Sequence, residues 1–309
     1  DGINDSPALS AADVGIAISD GAEIAREIAD ITVSADDLNE IVTLRMLSGA
    51  LMKRIHKNYR QIVTFNAGLI ALGVSFLMLT GNLDFSVGKL YAFAGVCCAL
   101  LYQRGLNIWV AIVVSILACV LISMFTGFVS MKFNIPMLIV SIAMMQVVDG
   151  INMILTNGAT VYGLPDSIKF LGQGYVLGIP FAVIVFAVVA AIVAFVLNRT
   201  YLGRYLFAVG GNNETARLSG IHVNQVKMIA SIICGLLTGI AGIIMMSRSF
   251  SGSPYNGTSM SNDVISAAVL GGVSISGGTG KTSGVVTGVL IIGILSQGLV
   301  MIGMSSNYQ

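Results

Sequence analysis

Two aspartates at the start of the chain have the spacing of a cation site. Asp1 and Asp5 flank Asn4 on a glycine-containing turn, and Ser6 then caps a predicted helix that has Pro7 in its first turn. Carboxylate and amide oxygens beside a helix N-terminus could hold Mg²⁺ next to a phosphate. The same spacing also fits an Asp-rich turn before a capped helix, which needs no metal.

Other residues that could take part in chemistry are few and lie in apolar surroundings. Asp149 is the one acid in the apolar stretch 133–165, where an ionisable group indicates either function or a loop-facing carboxylate. The stretch from Gly277 to Thr282 resembles a P-loop. That motif requires a glycine where Ile275 stands and a preceding soluble strand, so nucleotide binding is not predicted here.

Four cysteines lie within apolar runs without any paired spacing, and the two histidines are far apart in sequence. Free cysteines in such runs behave as small apolar residues. The sequence therefore gives no reason to expect a metal or cofactor on their account.

Composition excludes a soluble single-domain enzyme. The 309 residues are 55% hydrophobic with a mean hydropathy of +0.88, and only 10% are charged, against roughly 25% in soluble domains. Residues 1–60 hold ten of the fifteen acids and six of the sixteen bases, whereas residues 61–309 hold five acids and ten bases. This asymmetry indicates two parts in different environments, a short N-terminal segment and a membrane region.

The N-terminal segment, residues 1–60, alternates predicted strands and helices. Strands are predicted over 14–18 and 31–33, and helices over 21–29 and from Asp37 onward, a pattern typical of α/β structure. A segment of this length buries too little apolar surface to be stably folded by itself. We expect a short α/β fragment that is the tail of a larger domain.

The membrane region, residues 61–309, carries about eight apolar runs, so the chain is predicted to be an all-α, multi-pass protein of the cell membrane. The short or glycine-rich runs 90–102 and 264–280 are candidates for broken or re-entrant segments that line a substrate path, although their small residues could serve close helix packing alone. The runs are 62–80, 90–102, 105–131, 133–148, 170–198, 228–247, 264–280 and 282–309.

The loop 199–227 sets the expected orientation. It carries four basic residues against a lone Glu214, which places it in the cytoplasm. Counting the membrane crossings back from this loop, the run 62–80 passes from the outside to the inside of the membrane if 90–102 crosses fully. That orientation conflicts with a cytoplasmic N-terminal segment unless 90–102 only dips into the membrane, and both alternatives stay open.

The N-terminal segment resembles the hinge region of heavy-metal P-type ATPases. The resemblance rests on the stretch from Asp1 to Leu9, continues through Ala12 to Ala17 and fades near Gly73. It implies that Asp1 would bind Mg²⁺, with Asp5 beside it, if the ATPase-like part were intact. Because no aspartate stands in the phosphorylation context Asp-Lys-Thr-Gly-Thr, autonomous pumping is not expected.

From about Ile70 onward the chain resembles the permease subunit of ribose-type ABC importers. Phe85 stands where that family usually has leucine, and Asp149 stands where a basic residue is common. The matching stretches are Leu79 to Gly88, Gly203 to Tyr205, Ala208 to Asn212, Ala216 to Ile221, and Ala268 to Gly278.

This second resemblance implies passage of a monosaccharide by alternating access, with ATP and Mg²⁺ bound on a separate cytoplasmic subunit and no cofactor on this chain. It further implies a second permease copy, an extracytoplasmic sugar-binding protein and no nucleic-acid partner. The residues expected along the substrate path are Asp84, Ser86, Gly88, Gly271, Gly272, Ser274, Gly277 and Gly278. The residues expected to couple to the ATPase partner are Gly211, Asn212, Glu214, Arg217 and Gly220.

Two resemblances in one chain predict a fusion with its seam within residues 68–84. Relative to the permease family, the chain is expected to be truncated at both ends. A fragment of a cation pump and a non-functional hybrid remain as alternatives to a sugar permease.

Overall fold

The chain divides into two units, Asp1–Tyr59 and Arg60–Gln309. The computed structural model describes residues 16–18, 31–33, 42–43, 45–46 and 64–301.

In the first unit, strands β1 (Ile16–Ile18) and β2 (Ile31–Val33) pair in parallel, with Ile16 opposite Ile31. Both fall within the predicted strand ranges, and residues 42–43 and 45–46 are helical. The predicted helix over 21–29 and the candidate ligands Asp1 and Asp5 lie outside the described residues. The α/β fragment and its Mg²⁺ site therefore stay predictions.

The second unit is helical, with a 3₁₀ turn (Asp166–Ile168) and a short antiparallel pair, β3 (Tyr175–Val176) and β4 (Ile179–Pro180). The helices are α1 (Thr64–Leu79), α2 (Val87–Gln103), α3 (Ile108–Phe133), α4 (Met137–Thr156), α5 (Lys169–Gln173), α6 (Phe181–Arg199), α7 (Tyr201–Gly211), α8 (Asn213–Leu218), α9 (Val223–Ser249), α10 (Met260–Leu270) and α11 (Thr282–Met301).

Among the described residues, four helices are long and apolar enough to cross a membrane, namely α3, α4, α6 and α9. Helices α1, α2 and α10 are also apolar but span only 10–17 residues each. The expected all-α membrane architecture is confirmed for this unit, whereas the count of eight segments stays a prediction.

Asparagine and proline set several helix ends. The Asn107 side chain accepts a hydrogen bond from the Trp109 N–H and caps the start of α3. Asn134 ends α3 and Asn157 ends α4, both in the left-handed conformation that asparagine tolerates. Pro136 immediately precedes α4, where its missing N–H removes no helical hydrogen bond.

Helix α9 forms the centre of the second unit and packs against α2 and α3. Small residues allow that approach: a Cβ on Gly242 would lie 2.4 Å from the Tyr91 carbonyl oxygen of α2, and one on Gly235 would lie 2.9 Å from the Cys119 carbonyl oxygen of α3. The Ser123 hydroxyl also donates to the Ser231 carbonyl at 2.8 Å. By contrast, α3, α4 and α6 leave most of their apolar side chains uncovered, as expected of a lipid-facing surface.

Contacts between loops lie at two faces of this unit, which we name outer and inner after the orientation predicted from the basic loop 199–227. At the outer face, the Gln103 side chain donates to the Tyr162 carbonyl at 2.9 Å, and Val161 bridges Gly252. At the inner face, the Gly278 N–H donates to the Leu79 carbonyl at 3.0 Å. Helix α1 therefore ends at the inner face and α2 ends at the outer face, and full passage of 90–102 and a dip both stay predictions.

We predict that Gly242→Ala destabilises the protein, because the added methyl group has no room against the α2 backbone. Overpacking of this kind costs about 1–3 kcal/mol. Gly150→Ala is the matched control, since a Cβ there meets nothing within 4 Å on an exposed helix position. Thermal unfolding in detergent should show a lower midpoint for Gly242→Ala alone, and equal midpoints would contradict this packing.

Candidate functional site

A buried carboxylate shapes the loop that joins α1 to α2. Asp84 is fully buried, and its Oδ1 accepts hydrogen bonds from the Ser86 N–H at 2.8 Å and the Ser86 hydroxyl at 2.6 Å. Burial raises the pKa of the Asp84 carboxyl above its ordinary value, and the Ser86 hydrogen bonds oppose that shift. Within the described part of the chain Oδ2 has no hydrogen-bond partner, so it remains an available acceptor.

Serines from two other helices hold the same loop. The Phe85 N–H donates to the Ser141 hydroxyl of α4 at 3.1 Å, and the Gly88 N–H donates to the Ser261 hydroxyl of α10 at 3.1 Å. The Ser261 hydroxyl in turn donates to the Phe85 carbonyl at 2.7 Å. We call residues 80–88 with these two serines the clamped loop.

Glycine is required at the tightest point of the clamped loop. A Cβ on Gly88 would lie 2.5 Å from the carbonyl oxygen of Gly257, closer than real Cβ contacts come. The structure thus brings Asp84, Ser86 and Gly88 together, three of the residues predicted along the substrate path. The sequence did not predict Ser141 and Ser261 as part of the site, because a single serine in an apolar helix does not indicate a function.

The other predicted path residues form a second group. Gly271 and Gly272 end α10, and Gly271 packs on the backbone of Gly284 in α11. The Ser274 N–H donates to the Thr279 carbonyl at 3.0 Å, which closes a turn. Together with Gly277 and Gly278, these residues lie at the inner face, apart from Asp84.

Three backbone segments meet at the inner face in what we call the glycine junction. Its members are Leu79 and Gly81 after α1, Gly210 at the end of α7, and Gly277 with Gly278. A Cβ on Gly210 would lie 1.8 Å from the Leu79 carbonyl oxygen, and one on Gly277 would lie 2.7 Å from the Gly81 nitrogen. Gly277 and Gly278 also have φ of +90° and +76°, which glycine adopts without strain. The end of α7 therefore approaches α1 closely enough for backbone to contact backbone.

The residues predicted to couple to a partner lie together on an exposed segment, α7–α8. The Asn212 side chain accepts from the Thr215 N–H at 2.9 Å and caps α8. The charged groups of Glu214 and Arg217 lie 4.0 Å apart, and their side chains are 75% and 73% exposed. Gly220, with φ of +81°, ends the turn that follows. These charges are free to contact another protein, because their mutual pairing in solvent is weak.

Gly211 differs from its neighbour Gly210 in its surroundings. A Cβ on Gly211 would meet nothing within 4 Å. The tight contact thus belongs to Gly210, a residue the site prediction did not include.

Asp149 forms an ion pair within the helices. Its carboxylate lies 2.9 Å from the Lys89 ammonium of α2, and the two side chains are only 28% and 13% exposed. The Asn152 amide also donates to the Lys89 carbonyl at 3.2 Å. Asp149 therefore joins α4 to the start of α2 and does not face a loop.

Comparison with known proteins identifies the second unit. A family described as the permease component of branched-chain amino acid transport systems matches residues 61–309. The chain belongs to this permease family. Residues 1–60 lie outside the matched range.

Curated relatives of the permease agree with this assignment. The ribose import permease protein RbsC of Escherichia coli strain K12 is 38% identical over 256 residues, which cover 82% of this chain and 79% of the relative. RbsC of Bacillus subtilis strain 168 is 38% identical, with coverage of 78% and 76%. The L-arabinose transport system permease protein AraH of Escherichia coli strain K12 is 38% identical, with coverage of 77% and 73%. No solved structure matches the permease.

No group of three or more His, Cys, Asp or Glu side chains that could hold a metal ion occurs among the described residues of the permease. The clamped loop, the glycine junction and segment α7–α8 are thus its chemically distinctive parts. They offer hydrogen-bonding groups, close backbone contacts and exposed charges.

We predict that Lys89→Met destabilises the permease by about 3 kcal/mol, because Asp149 would lose the one charged partner that it has among the described residues. The double variant Lys89→Met with Asp149→Leu should recover most of that loss, since neither charge remains. Thermal unfolding of both variants measures the difference. A double variant no more stable than the single one would show that the pair does not join α2 to α4.

Proposed function

We infer that this chain is the membrane-spanning permease component of an ATP-driven sugar importer in the cell membrane. The observation that carries the inference is its 38% identity to ribose and L-arabinose permeases over more than three quarters of its length. The family match over residues 61–309 and the lipid-facing helices support the same conclusion.

The energy for transport comes from partners. ATP and Mg²⁺ bind to a separate cytoplasmic subunit, which docks on segment α7–α8, and an extracytoplasmic sugar-binding protein delivers the substrate. A second permease copy completes the transmembrane part. The exposed Glu214 and Arg217 support this docking, because charged side chains at an interface rim steer and orient a partner.

The glycine junction gives a route from the docking segment to the substrate path. A displacement of α8 moves the end of α7, and Gly210 lies directly against the Leu79 carbonyl. Leu79 immediately precedes the loop that leads to Asp84. This backbone contact would transmit such a displacement with little slack, because no side chain separates Gly210 from the Leu79 carbonyl.

The path itself is proposed along the clamped loop. The Asp84 Oδ2 atom and the Ser86 hydroxyl can exchange hydrogen bonds with sugar hydroxyls, which both donate and accept. Gly271, Gly272, Ser274, Gly277 and Gly278 border its inner end. The eight apolar segments, with α10 as a broken one, form the surrounding bundle.

A separate proposal concerns residues 1–60. We propose that they derive from a P-type ATPase-like tail joined to the permease within residues 68–84. The unit boundary after Tyr59 and the start of the family match at residue 61 support two separate parts, although both lie before the proposed seam.

Purification of the tagged chain from its native membranes tests the proposed function. A permease brings an ATP-binding subunit and a sugar-binding protein, and membranes that contain all three take up a monosaccharide. A cation-pump fragment would bring neither partner. A non-functional hybrid would be degraded rapidly and show no uptake, so either result would refute the proposal.

We predict that the double variant Glu214→Ala with Arg217→Ala abolishes sugar uptake, because the ATPase subunit loses its charged contacts on α8. The protein should still reach the membrane, since both side chains are exposed.

The matched control for this variant is Asp166→Ala with Lys169→Ala. That pair has the same spacing of three residues and is also solvent-accessible, but it lies outside segment α7–α8. Uptake should persist in the control. Normal uptake by the α8 variant would contradict the assignment of α7–α8 as the docking segment.

A further inference from the structure

A polar pocket opens at the inner face between α3 and α9, close to the clamped loop. Its volume is about 290 Å³. Small-molecule sites begin at roughly 300 Å³, so this pocket suits a ligand the size of one monosaccharide. Polar side chains from four segments converge on it, namely Asn82, Ser130, Asn134, Asn224, Lys227 and Ser231.

We propose that this pocket binds the transported sugar at the inner face before its release. The proposal rests on the proposed function and adds to it a second sugar site, distinct from the Asp84 carboxylate.

Unused hydrogen-bonding capacity in the pocket supports the proposal. Among the described residues, the side chains of Asn134, Asn224 and Lys227 form no hydrogen bond or ion pair with the protein. Their donors and acceptors are therefore available to a ligand. Ser231 lies deeper, and its hydroxyl is anchored to the Lys227 carbonyl at 3.2 Å.

The chemistry of the lining favours a neutral polyol over an anion. Each carboxamide both donates and accepts hydrogen bonds, and so does each serine hydroxyl, which matches the dual character of sugar hydroxyls. Lys227 is the single charged residue among those that line the pocket. An anion would leave the amide oxygens without donors, whereas a sugar can satisfy all of them.

The position of the pocket fits a site of release. Asn82 belongs to the clamped loop and stands two residues before Asp84 in the chain, which places the pocket beside that loop. The opposite wall is the turn between α3 and α4 at Asn134. Asn224 lies at the start of α9, just beyond segment α7–α8.

Protection of an introduced cysteine from maleimide tests the site. The Asn224→Cys variant is labelled in membrane vesicles that expose the inner face, with ribose, L-arabinose or inorganic phosphate present. We expect the sugar that the wild type imports to slow labelling by about fivefold or more, with phosphate having no effect. Asn198→Cys, an exposed position at the end of α6 and outside segment α7–α8, should label at one rate throughout. The parent chain gives the background of the native cysteines.

Two further variants sharpen the result. Lys227→Met added to Asn224→Cys should weaken the protection, because methionine has no hydrogen-bond donor to replace the ammonium group. Asn134→Cys should reproduce the protection from the opposite wall, and it replaces Asn224→Cys if that variant fails to fold.

The outcomes separate the site from the proposed function. Import of a sugar by the wild type without protection at either cysteine would overturn the pocket alone. Protection by phosphate and not by sugar would also overturn it. A wild type that imports no monosaccharide would overturn the proposed function and the pocket with it.

Discussion

Backbone that leaves a helix inside apolar surroundings must find hydrogen-bond partners within the protein, because lipid offers none. The loop between α1 and α2 meets this constraint at six of its amides. The N–H groups of Thr80 and Asn82 donate to the Leu77 carbonyl at 2.9 and 3.0 Å, and that of Gly81 donates to the Met78 carbonyl. The N–H groups of Phe85, Ser86 and Gly88 donate to the side chains of Ser141, Asp84 and Ser261. The proposed substrate path of the permease depends on this loop, since it holds a buried carboxylate and is tied to α4 and α10.

The glycine junction meets the same constraint at the inner face. There the Gly278 N–H donates to the Leu79 carbonyl, and the absence of side chains lets the end of α7 approach within contact distance of α1. The exposed segment α7–α8 is thereby connected to the clamped loop through backbone. A permease that responds to ATP hydrolysis on a partner needs such a connection between docking surface and substrate path.

The sequence predicted helices and other local features well, but it did not predict contacts between residues that are far apart in the chain. Apolar runs located the long helices, and the family resemblance located segment α7–α8, because both signals are contained in short stretches. The run 170–198 is not one helix. It begins within the short helix α5, which ends before Gly174, and α6 starts only after Pro180. The run 133–148 was predicted to end before Asp149, but α4 continues through it. Asp149 pairs with Lys89, which is 60 residues away in sequence, and no local pattern indicates that pairing.

Hydrogen exchange of the amides in residues 80–90, measured by mass spectrometry on the full chain in lipid nanodiscs, tests the central claim most directly. If the clamped loop is held as described, this segment exchanges as slowly as the buried half of α9 and far more slowly than residues 212–222 of the exposed inner face. Exchange as fast as in residues 212–222 would contradict the account, because an unclamped loop could not relay motion from the inner face to Asp84.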